Sequence, residues 1–287
     1  MCGICGICFK DKRPVDLNII RSMNNALLPR GPDDEGYYVS SGVGFGMRRL
    51  KVIDLETGNQ PIINEDGSII VVYNGEIYNF LELKNDLIKK GHIFHTRTDT
   101  EVLVHLYEEE GADFLKKLNG MFAFALWDAK KHSLLLARDQ TGIKPLYYFI
   151  NKDCLVFGSE LKALLRCPFI DANIDPVSIK KYLIYEYVPS PASIFKNINK
   201  LPPAHFMLYR NGEPALKNYW ALNLEKRNKM QMPEAEERLR ELIADSVRIR
   251  LVSDVPIGSF LSGGIDSSTI SYFMARSHPD KIKTFSI

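Results

Sequence analysis

The sequence predicts an α+β first region built from antiparallel sheets, followed by the opening of an α/β unit. Short β-like runs recur from Cys2 to Gly158, and most are joined by turn signals rather than helices, which favours antiparallel pairing over a doubly wound parallel sheet. After a polar stretch beginning at Asn223, the pattern changes to helix, strand, glycine turn and helix, the start of a unit of different class.

Each element has a local reason. Strands are expected over Cys2–Phe9, Val43–Met47, Ile69–Tyr73, Phe122–Asp128, Ser133–Arg138, Leu146–Ile150 and Leu155–Gly158, rich in β-branched, aromatic and small apolar residues. Helical spacing predicts Asp16–Leu28 before the break at Pro29, and Asn79–Lys90 before Gly91. A third helix, Asp99–Glu110, would turn Val102, Leu103, Leu106 and Tyr107 to a core. From Ile174 to Pro203 the proline-rich pieces Tyr187-Val188-Pro189-Ser190-Pro191 and Leu201-Pro202-Pro203 read as rigid, extended connectors. A hairpin, His205 to Trp220 around Asn211-Gly212, closes the first domain. Pro233–Leu251 reads as a helix, Val255–Leu261 as a strand and Ser268–Arg276 as a second helix. The domain expectation is therefore 1–220, a linker over 221–232, and a second domain begun at 233–287.

Composition narrows the function classes. At 287 residues and 45% hydrophobic content the chain can bury one large core or two ordinary ones, and a net charge of +2 favours neither nucleic acid nor an anionic membrane surface. The apolar opening has no basic lead and no small-residue cleavage site, so no secretory signal is expected, and no apolar run reaches transmembrane length. Five cysteines, an odd number, then read as reduced thiols of a cytoplasmic protein.

The chemistry-bearing residues begin at the chain end. Cys2 is small enough for Met1 to be trimmed, which would leave a thiol and a free α-amine on one residue. An amine of pKa about 8 can take the proton of a thiol of pKa about 8.5, directly or through a water, so no distant His is required. Two other readings stand beside it. Cys2, Cys5 and Cys8 have the C-x2-C-x2-C spacing of part of an iron–sulfur run, with Cys167-Pro168 as its terminal Cys-Pro. They are equally consistent with small residues packed in a buried strand.

Asn74-Gly75-Glu76-Ile77-Tyr78-Asn79 follows a strong strand and is expected in a loop leading to a helix, where the Asn amide and the Gly N–H suit an oxyanion. An ordinary Asn-Gly turn is the competing reading. Arg30, in Arg30-Gly31-Pro32-Asp33, and Arg49 are each a surface charge or a clamp for a carboxylate. Asp99 reads first as the N-cap of the third helix, and second as a receptor for an ammonium. His92 and His95 have no carboxylate or Cys at metal-site spacing and are assigned capping or surface roles. In Ser262-Gly263-Gly264-Ile265-Asp266-Ser267-Ser268, strand, glycine turn and helix gather backbone N–H groups around a phosphate. Without a Lys of the Walker type, the Ser hydroxyls and Asp266 suit the pyrophosphate end of ATP and its Mg²⁺, with a plain capped βα turn as the alternative.

These motifs, with Gly120-Met121-Phe122-Ala123-Phe124-Ala125, Arg138-Asp139 and Ser159-Glu160-Leu161-Lys162-Ala163-Leu164, occur in one order along the chain. In that order the chain resembles the glutamine-hydrolysing asparagine synthetases, class II glutamine amidotransferases, along essentially its whole length. The resemblance implies an N-terminal nucleophile hydrolase fold, an αββα sandwich of antiparallel sheets, followed by the start of an ATP-pyrophosphatase domain. It implies Cys2 as nucleophile and its α-amine as base, with Asn74 and Gly75 as the oxyanion hole. Arg49, with backbone at Leu50, Val52 and Ile53, would hold the glutamine α-carboxylate, and Glu76 and Asp99 its α-amine. Leu261, Ser262, Gly263, Gly264, Asp266, Ser267 and Ile287 would bind ATP, with Asp266 on Mg²⁺. Ammonia would then amidate an adenylated aspartate, or a different carboxylate acceptor. ATP and Mg²⁺ enter as co-substrates with no prosthetic group, and two chains are expected to pair. Ala204 replaces the Gly of the family's Leu-Pro-Pro-Gly-His, a local change. Ending at Ile287, one strand past the pyrophosphate loop, the chain is expected to hydrolyse glutamine without making asparagine unless another chain supplies the remainder, and to leave apolar surface exposed after Pro233.

Overall fold

The computed structural model describes residues 1–225, 229–277 and 281–286. They form two compact units: Met1–Lys51 with Glu56–Ala221, and Val52–Leu55 with Leu222–Ile287.

The first unit contains two six-stranded sheets, antiparallel throughout. Sheet one runs β10 (Ile198–Lys200), β8 (Tyr147–Ile150), β9 (Cys154–Gly158), β1 (Gly3–Phe9), β3 (Val43–Arg49), β2 (Asp34–Ser40). Sheet two runs β12 (Glu213–Asn218), β11 (His205–Arg210), β7 (Ser133–Arg138), β6 (Gly120–Asp128), β5 (Ile69–Ile77), β4 (Ile62–Ile63). Inner faces meet in a core that includes Ile4, Cys8, Phe45, Met47, Ile70, Val72, Ala125 and Phe157. On the outer face of sheet one lie α1 (Leu17–Asn25), which packs Ile20 and Met23 into a cluster with Cys5 and Ile7, and α4 (Leu161–Leu164); α3 (Val102–Glu110) packs on β5 and carries α2 (Phe80–Lys89) against it. The expected antiparallel α+β sandwich of four layers is the fold observed.

β1 explains why a stretch as featureless as Gly-Ile-Cys-Gly-Ile-Cys-Phe becomes a central strand. With both faces covered, all seven residues are buried, and the period of two sends Ile4 and Cys8 to the inter-sheet core and Cys5, Ile7 and Phe9 to the helix layer.

Several expected boundaries shift. The helix expected from Asp16 is capped by the Asp16 side chain, which accepts from Asn18 N, and gives way to a short 3-10 turn over Leu28–Arg30 where Pro29 enters. The segment expected as extended connector contains α5 (Pro176–Tyr185), capped by Asp175, with proline at its first position where no N–H is needed. The connector prolines, Pro189, Pro191, Pro202 and Pro203, all lie beyond this helix and so do not break it.

The second unit contains α6 (Met232–Arg248), β13 (Gly258–Phe260), α7 (Ile265–Ser277) and β14 (Lys283–Phe285). β13 and β14 pair in parallel, and α6 packs on α7. β13 covers only the centre of the expected Val255–Leu261 strand, since its one partner is a three-residue strand. Apolar residues after Pro233 are largely open, as expected: Phe260 is 76% exposed and Ile265 86%. Among the described residues no helix is long and apolar enough to cross a membrane.

Candidate active site

Strand periodicity gathers the site. Cys2 packs on the inter-sheet core at the start of β1, and antiparallel pairing sets that start beside the end of β3, with Gly3 opposite Arg48. In β3, Arg49 shares the inward parity of Phe45 and Met47; in β5, Asn74 and Glu76 share that of Ile70 and Val72. One end of the sandwich therefore receives the thiol, the guanidinium, the amide and a carboxylate.

Cys2 Sγ is held by the Leu50 peptide: the Leu50 N–H donates to it over 3.4 Å, and Leu50 O lies at 3.7 Å. Burial pushes the thiol pKa up, while the hydrogen bond to Leu50 and the terminal amino group oppose that rise. Arg30 fixes the same residue from its backbone, donating from Nε to Cys2 O at 2.7 Å, and from Nη1 to Glu160 at 3.0 Å. Asn74 is 1% exposed, and neither atom of its side-chain amide has a hydrogen-bond partner. Leaving such a group unsatisfied costs about 1–3 kcal/mol, which marks the amide as poised for something other than the fold.

Two acids and a lysine complete the electrostatics. Asp99 is buried and accepts from Tyr73 OH at 2.9 Å and Ile77 N at 2.8 Å. Burial raises its pKa against those hydrogen bonds, and burial with the Asp99 charge raises that of Glu76. Lys144 is 4% exposed, and burial lowers its pKa against the attraction of Glu76. Its Nζ donates to Met1 Sδ at 3.2 Å. The loop that delivers it is built by Asp139, which accepts from Phe122, Ile143 and Lys144 N–H groups, and by Arg138, whose guanidinium donates to three backbone carbonyls. Lys144 was not singled out in the sequence; its only signal is its place shortly after Arg138-Asp139.

Residues 1–220 match the glutamine amidotransferase domain family. The chain belongs to that family. Residues 238–287 match the asparagine synthase family. The chain is similar to asparagine synthetase [glutamine-hydrolyzing] 1 of Bacillus subtilis, 40% identical over all of this chain and 46% of the relative. Asparagine synthetase [glutamine-hydrolyzing] 2 of the same organism is 41% identical over 96% of this chain and 39% of its own length. The chain thus spans about half the length of the curated relatives it matches. In fold it is similar to the structure titled allosteric regulatory enzyme of purine biosynthesis, with TM-score 0.58 and 17% identity over 99% of this chain and 64% of the other. It is also similar to glutamine phosphoribosylpyrophosphate amidotransferase from B. subtilis, with TM-score 0.55 and 16% identity over 99% and 65%.

Within the amidotransferase unit several sequence readings change. Asn74, Gly75 and Glu76 lie inside β5, opposite Ala123, Phe122 and Met121, so they are neither in a loop nor in an Asn-Gly turn. The strand demands glycine at 75, because a Cβ there would stand 2.2 Å from Met121 O. Asp99 is not the cap before α3: Thr98 accepts from Thr100 N, which frees the Asp99 carboxylate for Tyr73 and Ile77. The iron–sulfur reading of Cys2, Cys5 and Cys8 fails on geometry. Three-residue spacing in a strand alternates faces, so Cys5 belongs to the helix-side core and Cys2 and Cys8 to the inter-sheet core. Burial also pushes Cys8 up to about 12 and Cys5 further, both far from the thiolate a metal needs. Arg30 is not a surface charge: its Nε and Nη1 hold Cys2 O and Glu160, while its buried Nη2 has no hydrogen-bond partner.

Val52 and Ile53 fall in the second unit, whose Asp254 N–H donates to Val52 O. There Leu261 and Ser262 follow β13, Gly263 and Gly264 make the turn, and Asp266 and Ser267 lie in the first turn of α7. Gly263 has φ +83°, the left-handed conformation that favours glycine. Ser262 N donates to Ser267 Oγ at 3.3 Å, and Ser267 Oγ donates to Gly264 O at 3.2 Å. Ile287 lies outside the described residues.

Proposed function

We propose that the first unit hydrolyses the side-chain amide of glutamine, and that residues 1–220 are its domain, with 221–232 a linker and 233–287 the start of a synthetase domain. The observation that carries the reading is the buried, unpartnered Asn74 amide on the same inward face and at the same end of the sandwich as Cys2. Once Met1 is removed, the α-amine of Cys2 takes the thiol proton and Sγ attacks the amide carbon. The carbonyl oxygen gains negative charge, received by Asn74 Nδ2 and the Gly75 N–H, donors that need no reorganisation because the strand already fixes them. The amine returns its proton to the departing nitrogen, ammonia leaves, and water cleaves the thioester to glutamate.

The rest of the substrate brings a carboxylate and an ammonium, charges complementary to Arg49 and to the acids Glu76 and Asp99. Arg49, buried with Nη1 donating to Asn59 at 2.8 Å, receives the α-carboxylate with backbone from Leu50. Glu76 and Asp99, both shifted toward the neutral form, become ionised partners when an α-ammonium arrives. Asp99 also positions Tyr73 and the end of β5.

The asparagine synthase match over 238–287 and the names of the relatives support the second half of the proposal. Where the rest of those relatives' length is present, ammonia amidates an aspartate activated by ATP. Leu261, Ser262, Gly263, Gly264 and Ser267 then hold the pyrophosphate, and Asp266 its Mg²⁺. The chemistry the nucleotide supplies is activation of the carboxylate by adenylation. A cytoplasmic location and pairing of two chains belong to the same proposal. The test is glutamate release from glutamine together with intact mass: release by protein lacking the Met1 mass, and none from C2A, is the expected pair. Release by fully methionylated protein overturns the amine-as-base mechanism.

A further inference from the structure

Four side chains from three separate stretches of the first unit converge away from the glutamine site. Glu65 comes from the turn between β4 and β5, His92 from the loop after α2, and His105 and Glu108 from one face of α3, three residues apart. Each offers one ligand atom, and the four atoms all lie within 4.8 Å of one another. His105 Nδ1 is 3.2 Å from Glu108 Oε2 and 3.4 Å from Glu65 Oε2. His92 Nδ1 is 3.7 Å from the same Glu108 Oε2 and 4.0 Å from Glu65 Oε1. Ligands bonded to tetrahedral zinc at about 2.0–2.2 Å stand about 3.3–3.6 Å apart. The His105 contacts already have that spacing, and the widest pairs, up to 4.8 Å apart, would draw in by about an ångström on binding.

We infer that Glu65, His92, His105 and Glu108 form a divalent-cation site, of the two-imidazole, two-carboxylate composition that suits Zn²⁺, pinning the β4–β5 turn and the loop after α2 onto α3. Two neutral imidazoles and two carboxylates balance a charge of +2. Each ligand also has an outer partner that aims it, as metal sites require. Asn64 Nδ2 donates to the other Glu108 oxygen at 2.7 Å, the Ile93 N–H donates to Glu65 Oε1 at 3.0 Å, and His92 Nε2 meets Glu109 at 3.3 Å.

His105 provides the independent observation. Its side chain is 1% exposed, and the buried Nε2 has no hydrogen-bond partner, with the Glu101 carboxylate at 3.9 Å. An imidazole bound through Nδ1 must carry its proton on Nε2, facing that carboxylate, which is the carboxylate–histidine–metal arrangement. Lys90 and Lys130, the nearby cations, are engaged by Glu109 and Asp66 and leave the four ligands to one another. On this inference His92 is a ligand where the sequence suggests a capping or surface residue; its carboxylate partners lie 27 residues before it and 16 after, distances no motif spacing would show.

The 287-residue protein, stripped with chelator and dialysed, is to be titrated with Zn²⁺ against a chromophoric competitor, and in parallel with Co²⁺. One ion per chain is expected, with a tetrahedral Co²⁺ visible band and no thiolate charge-transfer band. H92Q and E108Q should each weaken binding at least about 10-fold, while C2A should bind as the parent does. E65Q, at a side chain 32% exposed, gives the same readout if either variant fails to fold. Substoichiometric binding, binding unchanged in the variants, or a thiolate band would overturn the assignment and leave the cluster an ion-pair network.

Discussion

In the first unit β1 is buried at every residue, whereas in the second unit α6 buries Val247 alone among seventeen. The same chain thus holds one unit with a core from which water is excluded and one in which few side chains are buried. An unpartnered polar atom carries information only where water cannot reach it. The Asn74 amide therefore points to a ligand. The serine loop of the second unit, exposed and hydrogen-bonded to itself, is legible through its shape and its sequence but not through its energetics.

The comparison breaks most easily at Cys2. Alanine there should lower glutamate release by about 10⁴-fold or more with the fold intact, measured by coupled glutamate assay and circular dichroism; retained release would remove the reactive centre from the first unit. Phe157→Ala, in the inter-sheet core, should cost about 3–5 kcal/mol in urea unfolding followed through Trp127 emission. Leu242→Ala, on a side chain 51% exposed, should cost less than about 0.5 kcal/mol in the helical signal. Equal losses would mean the two units are not packed as differently as described.

Asn74→Ala sharpens the claim that a buried orphan marks the site. It should lower kcat about 10²–10³-fold, or about 2.7–4 kcal/mol, with KM little changed, since the donor acts on charge that develops in the transition state. A change confined to KM would make Asn74 a substrate-binding group instead.

The smallest effect concerns Glu76. Its folded pKa is raised by burial and by Asp99, so between the ordinary and the raised values the native state holds a proton the unfolded state has lost. Stability contributed by this group is therefore highest at low pH and falls as pH rises through that window, and Glu76→Gln should remove that part of the slope. Glutamine KM should fall with rising pH over the same window, by less than about 10-fold, as the carboxylate ionises to meet the ammonium, and should be flat in E76Q. A parent profile as flat as the variant's would show that Glu76 does not receive the substrate.

Much of the first unit was legible because its strands alternate over turns, and the order of motifs reached the family before any coordinate did. Local reading failed where a long-range partner overrode it. Asn74-Gly75 looks like a turn until β6 pairs with it, Asp99 looks like a cap until Tyr73 and Ile77 claim its carboxylate, and α5, which Pro176 starts, hides beside the later prolines of the connector. Lys144 has only its place shortly after Arg138-Asp139 to mark it, and the Glu65–His92–His105–Glu108 cluster has no local signal.

By itself the sequence determined the residue types, the thiol two residues from the start, the strand periods and the family, because each is a property of neighbours along the chain. Only the tertiary structure decided which faces exclude water, that Cys5 and Cys2 lie on opposite sides of one strand, and that Arg30 is occupied by Cys2 O. Burial and partner choice are set by segments far apart in sequence, and those two quantities turn a polar side chain into a site.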